Sequence, residues 1–183
     1  MFELLVSISI FLIITAMVLV NFRSGQYRDE LSGAAQLVQS LIREAQTATF
    51  SGSATPTPCV LNQPAAAPPS GYGVYLAPPA GPGQRPTVLE FADCETANPT
   101  YAYLPNNALF ILIKSATLSS HVTFDSSDVP PASPLSIVFN PLSEQVHING
   151  STAANAVLTL HHAYTTGMPT VTVNSSTGQV FVQ

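Results

Sequence analysis

Residues 1–22 read MFELLVSISIFLIITAMVLVNF, and this stretch decides how the rest of the chain must be arranged. From Leu4 to Val20 the only polar side chains are Ser7, Ser9 and Thr15, while one carboxylate, Glu3, stands at the threshold of the run. A carboxylate beside so apolar a segment can stay at a polar interface, take up a proton, or meet a cation supplied from elsewhere. The run is about 17 residues long, at the lower limit for a helix that crosses a bilayer and longer than the core of an ordinary secretory signal. A cleaved signal would carry basic residues before the run and a small-residue site after it, whereas Glu3 precedes this one and Asn21, Phe22 and Arg23 follow. A plain membrane anchor fits the length, with Arg23 and Arg28 as its positive flank, but leaves Glu3 unexplained. A third reading accounts for the acid: a helix held first in a membrane and later packed against copies of itself.

No strong helix breaker follows Asn21. Leu31, Ala34 or Ala35, Val38, Leu41 or Ile42, Ala45 and Ala48 recur at three- and four-residue steps, and Asp29, Gln36, Gln39, Arg43, Glu44 and Gln46 fall mainly between them. This period predicts one helix ending near Phe50, where Ser51, Gly52 and Ser53 interrupt it, with a length of about 70 Å. Its apolar first half, residues 1–25, would protrude. Its amphipathic second half, residues 26–50, would lie on a sheet formed by residues 51–183.

Residues 51–70, SGSATPTPCVLNQPAAAPPS, have no period and read as a connector. Short β-type runs follow between turn signals: Gly71–Leu76, Thr87–Phe91, Ala108–Ser115, His121–Phe124, Leu135–Phe139, Gln145–Ile148, Ala156–His162, Thr170–Val173 and Gln179–Val182. With so little helix between them, they predict antiparallel pairing and an α+β fold. The last pair makes the clearest hairpin, because Val171 and Val173 alternate with threonines, Asn174–Gly178 supplies a turn, and Val180 and Val182 alternate again.

Composition narrows the functional classes. Of 183 residues only 8% are charged, the net charge is −5, and beyond the helix the only cations are Arg85 and Lys114, so no basic footprint for nucleic acid exists. Sixteen prolines and few charges suit an exported chain with rigid loops. Cys59 and Cys94 cannot make a four-ligand zinc site alone. In an exported chain they would form one disulfide, worth about 3 kcal/mol by loop closure; in a reducing compartment they would be buried thiols. His161 and His162 are adjacent on a strand and face opposite ways, so only one of them can join any metal site, and they and His147 read better as surface or half-buried strand histidines. Asp93 with Glu95, and Asp125 with Asp128, supply too few oxygens for calcium and read as solvated turns. No nucleophile motif or phosphate loop appears, so the chain does not read as an enzyme, and no cofactor or metal is implied. Asn149-Gly150-Ser151 and Asn174-Ser175-Ser176 match the glycan acceptor pattern, and the Ser51–Thr57 stretch suits O-glycans, although turn chemistry explains these stretches equally well.

The opening segment resembles that of type IV pilins and pseudopilins, whose mature chains begin with a phenylalanine, a glutamate four residues on and an apolar helix closing at an Asn-Phe-like boundary. The resemblance runs through Arg43-Glu44-Ala45. Gly71-Tyr72-Gly73-Val74-Tyr75, Val88–Asp93 and the closing hairpin look like the globular domain of that family. Val20 stands where many pilins carry a proline and Leu12 where many carry a glycine, which leaves Gly25 as the weak point of the helix. The resemblance implies a leader and two further residues ahead of Met1, removal of that leader by a prepilin peptidase, N-methylation, and a helical homopolymer drawn from an inner-membrane pool by the pilus assembly machinery. Glu3 would then meet the terminal amine of a neighbouring copy, and Leu4, Leu5, Phe11, Val20 and Phe22 would pack between helices. The expected role is a surface-filament subunit for adhesion or motility. The alternative is a minor pilin or type II secretion pseudopilin that initiates a short fibre and binds a partner.

Overall fold

The computed structural model describes residues 2–51, 59, 69–79, 81, 84–95, 101–104, 109–126, 134–141, 145–152 and 155–183, the side chains of Val20 and Asn21 excepted. Most of the 51–70 connector and the loop carrying Asp128 lie outside them. Helix α1 spans Phe2–Phe50 without interruption, passing through Gly25 in helical conformation. Nine strands follow: β1 (Gly71–Ala77), β2 (Thr87–Asp93), β3 (Phe110–Thr117), β4 (Val122–Ser126), β5 (Leu135–Phe139), β6 (Val146–Ile148), β7 (Ala156–His162), β8 (Thr170–Val173) and β9 (Val180–Val182). The architecture is α+β, as the periodicities predict.

The strands form two antiparallel sheets, one in the order β3-β2-β1-β5-β6 and one in the order β4-β7-β8-β9. One continuous core joins both sheets to the second half of α1. Leu31, Ala34, Ala35, Val38, Leu41, Ile42 and Ala45 supply the helical side of that core, at the spacing that keeps one helix face inward. Val74, Leu76, Val88, Leu135, Ile137 and Phe139 meet them from the first sheet, and Val122, Leu158, Leu160, Val171 and Val173 from the second. The small Ala34, Ala35 and Ala45 let the rod lie close to the strands.

The first sheet is covered on its other face as well, by a smaller aromatic cluster of Tyr75, Phe91, Phe110 and Val138 with Tyr101 and Tyr103. Phe91 and Phe110 meet edge-on with ring centroids 5.6 Å apart. Gly73 is required here, because a Cβ at that position would lie 2.7 Å from the Phe91 ring and 2.6 Å from the Ile137 carbonyl. In the closing hairpin, Gly178 has φ +67° and its N–H donates to the Asn174 carbonyl at 2.8 Å, which closes the turn. Cys59 and Cys94 are joined, tying the connector to the end of β2. Removing this bond by replacing both cysteines with serine should lower stability by about 3 kcal/mol.

Burial divides α1 in two. Val38 and Ile42 are 0% exposed, whereas Leu4 and Phe11 are 66% and 70% exposed. Leu41→Ala should therefore lower the stability of the full chain in detergent micelles by about 2–5 kcal/mol, as read by chemical denaturation. Leu12→Ala should leave that transition where it is, since Leu12 touches none of the core.

Candidate functional site

Glu3 lies in the first turn of α1 and is exposed. Leu4, Leu5, Phe11 and Phe22 are exposed with it, while the side chain of Val20 falls outside the described residues. The three hydroxyls of the run turn back onto the helix: Ser7 donates to the Glu3 carbonyl, Ser9 to the Leu5 carbonyl and Thr15 to the Phe11 carbonyl, at 2.8–2.9 Å. With those groups satisfied internally, the rod presents hydrocarbon on its flanks and one carboxylate near its tip. It is long and apolar enough to cross a membrane.

Below the protruding half, a polar seam runs between α1 and the sheets. Its upper part is built on Glu30. Register places Val122 of β4 opposite His162 of β7, so His121, one residue before β4, arrives beside His162. The side chain of His162 is 0% exposed, and its Nε2 lies 3.2 Å from Glu30 Oε2. The Tyr164 backbone N–H donates to its Nδ1 at 3.2 Å, which leaves the ring proton on Nε2 for Glu30. His121 Nδ1 stands 3.9 Å from Glu30 Oε1. The Ser119 hydroxyl accepts the His121 backbone N–H at 3.3 Å and donates to the Glu30 carboxylate. That bond, opposed by burial and helped by both histidines, holds the Glu30 carboxyl below its ordinary range. Tyr27 and Tyr164 close the cluster, with the Tyr27 ring 5.0 Å from His162.

His161 does point the other way, 3.2 Å from exposed Asp125. The expectation of a surface or half-buried histidine holds for it and fails for His162, because β7 turns its even-numbered residues toward α1. His121 and Glu30 carry no sequence pattern that links them to His162. Only the β4–β7 register and the helix packing bring the three together.

Farther down the seam, Glu90 faces the helix between Val88 and Ala92, beside the exposed Lys114–Glu44 ion pair of 2.7 Å. It borders a cavity of about 450 Å³ whose wall includes Arg43, Thr47 and Tyr72. The Glu90 side chain is buried, and its Oε2 has no hydrogen-bond partner among the described residues. Burial, and then the charge of Glu44, push its carboxyl up to about 7, with Lys114 opposing them. Asp93 is also buried, contrary to the solvated turn expected from its neighbours, because β2 continues to Asp93 and pairs there with Gly71 and Phe110. Its Oδ1 accepts the Glu95 N–H at 2.9 Å, and burial raises its carboxyl. His147, half-buried and stacked 4.0 Å from Tyr101, is shifted downward by burial.

Asn149 and Asn174 both serve as turn residues. Asn149, at φ 50°, accepts the Ser136 N–H at 2.8 Å, and Asn174 accepts the Ser176 and Thr177 N–H groups at 2.9 and 3.0 Å. Comparison of the chain with protein-family models, curated proteins and solved structures found no match.

The raised Glu90 carboxyl has a thermodynamic sign. The folded chain holds its proton up to about pH 7, and the unfolded chain releases it near 4.5, so this residue's contribution falls as pH rises between those values. Glu90→Gln should flatten that loss and stabilise the chain at pH 8 by about 2 kcal/mol, measured by denaturant unfolding at a series of pH values.

Proposed function

We propose that this chain is the structural subunit of a type IV pilus-like surface filament, held in the inner membrane through α1 and then polymerised through it, for adhesion or motility. The observation that carries this reading is the division of α1. One continuous 49-residue helix has its second half in the core and its apolar first half exposed on all sides, with Glu3 at the tip. A bilayer can cover such a half-helix, and so can like half-helices. An anchor alone gives Glu3 no work, whereas a bundle of copies gives it a neighbour.

In such a bundle, Glu3 would face the terminal amine of the adjacent copy. Desolvation offsets much of the attraction in a buried ion pair, but a misplaced neighbour leaves one charge buried alone at a cost of about 3–5 kcal/mol. The pair therefore selects register more than it adds strength. Leu4, Leu5, Phe11 and Phe22 would supply the contact area, and the globular domains would coat the outside. The prepilin peptidase and the assembly machinery belong to the same proposal, which involves no enzyme chemistry and no nucleic acid.

Expression in a piliated host tests it. Sheared fibres should consist chiefly of this chain, and Glu3→Ala should reduce fibre yield at least tenfold while the globular domain keeps its unfolding transition. Normal yield from that variant would end the role given to Glu3. Recovery of the chain only as a trace component of fibres built from another subunit would make it an initiating minor pilin or pseudopilin instead.

A further inference from the structure

The seam under the exposed helix holds a second candidate for chemistry, independent of how α1 assembles. Glu30, His121 and His162 each direct one donor atom to a common point, all three atoms lying within 4.8 Å of one another. We propose that these residues form a binding site for a divalent transition-metal ion, zinc in the first instance, that clamps α1 to the β4–β7 ladder where the helix leaves the domain.

The donor set fits the ion. Two imidazoles and one carboxylate are a common zinc combination, leaving a fourth position for water, whereas calcium prefers oxygen donors. Ligands around a tetrahedral zinc ion sit about 3.3 Å apart. The 3.2 Å between His162 Nε2 and Glu30 Oε2 already matches that spacing, while His121 Nδ1 stands 3.9 Å from the other carboxylate oxygen, Oε1, slightly wide of it. Drawing the donors together needs a movement of about 1 Å by His121, whose half-exposed side chain precedes β4 and packs edge-on against the Tyr164 ring. Ser119 braces both the Glu30 carboxylate and the backbone of His121, which holds two of the three ligands in place.

Binding also requires an exchange of protons. Nε2 of His162 gives up its proton to become a ligand, Nδ1 takes one, and the Tyr164 N–H loses its acceptor. Ala163 and Tyr164 are exposed, so this turn can reorient toward water. Tyr27 and Tyr164 lie against His162 in a chain without tryptophan, which makes tyrosine fluorescence a reporter for the site.

The test uses the full chain in detergent micelles, first stripped with a chelator and then titrated with zinc, and in parallel with cobalt as a spectroscopic probe. The expected result is one ion per chain with micromolar or tighter affinity, a tetrahedral cobalt spectrum, a change in tyrosine fluorescence and a raised thermal midpoint. His121→Ala and Glu30→Gln should each weaken zinc binding by more than about tenfold. His161→Ala, on the opposite face, should leave binding unchanged. Circular dichroism of each variant separates lost binding from lost folding, and His121 is exposed enough for its variant to fold. Absence of binding in the wild-type chain below millimolar zinc would overturn the proposal. So would wild-type affinity in folded His121→Ala, or a loss in His161→Ala equal to that in Glu30→Gln.

Discussion

Everything in this molecule depends on where the apolar half of α1 can be placed. Each large aliphatic or aromatic side chain left in water forgoes about 1.5–3 kcal/mol, and every described one from Phe2 to Phe22 is exposed. Their sum exceeds the roughly 5–15 kcal/mol by which a domain of this kind is stable. The folded domain therefore cannot determine the state of the helix tip by itself. Lipid can supply the missing surroundings, since the helix is long and apolar enough to cross a membrane, and the inward-turned hydroxyls of Ser7, Ser9 and Thr15 leave its flanks suited to that.

The same constraint explains the division of labour below the tip. A rod of about 70 Å needs a broad base if it is to project rigidly. Two antiparallel sheets provide it, both packed on one stripe of the helix, with a second aromatic cluster stiffening the far face of the larger sheet. The disulfide fastens Cys59 of the connector to Cys94, just past the end of β2, so the segment between α1 and β1 is held to the first sheet at that point. Protrusion of one half and burial of the other are two consequences of one uninterrupted helix.

Much of this was legible in the sequence because it follows from local period. The three- and four-residue recurrence from Leu31 to Ala48 marked the buried stripe, and alternation in Thr170–Val182 marked the hairpin. The absence of a breaker at Val20 and the tolerance of helices for a single glycine explain why α1 runs through Gly25. Tertiary placement was not legible. Glu90 and Asp93 carry the same side chains whether a strand leaves them in water or beneath packed neighbours, and nothing local distinguishes the two. Glu30 and His162 are 132 residues apart, and their meeting depends on strand register and helix rotation together.

That meeting bears on how the helix finds its position. The buried stripe of α1 is built from alanines and aliphatic residues at near-regular spacing, and a shift of one turn, about 5.4 Å, would replace apolar contacts with other apolar contacts. Hydrophobic burial alone separates such registers poorly. Glu30 and Glu44 are 14 residues apart, nearly four turns, so both emerge on almost the same side of the helix, about 21 Å apart. One meets His162 and the other Lys114. A one-turn slip would break both contacts, and at the His162 end it would leave a fully buried imidazole without its acceptor. The exposed Lys114–Glu44 pair adds little stability, and a buried polar group stripped of its partner costs far more than such a pair returns. The seam thus selects the register of the helix by penalising its alternatives, and thereby sets how far the apolar half extends beyond the domain.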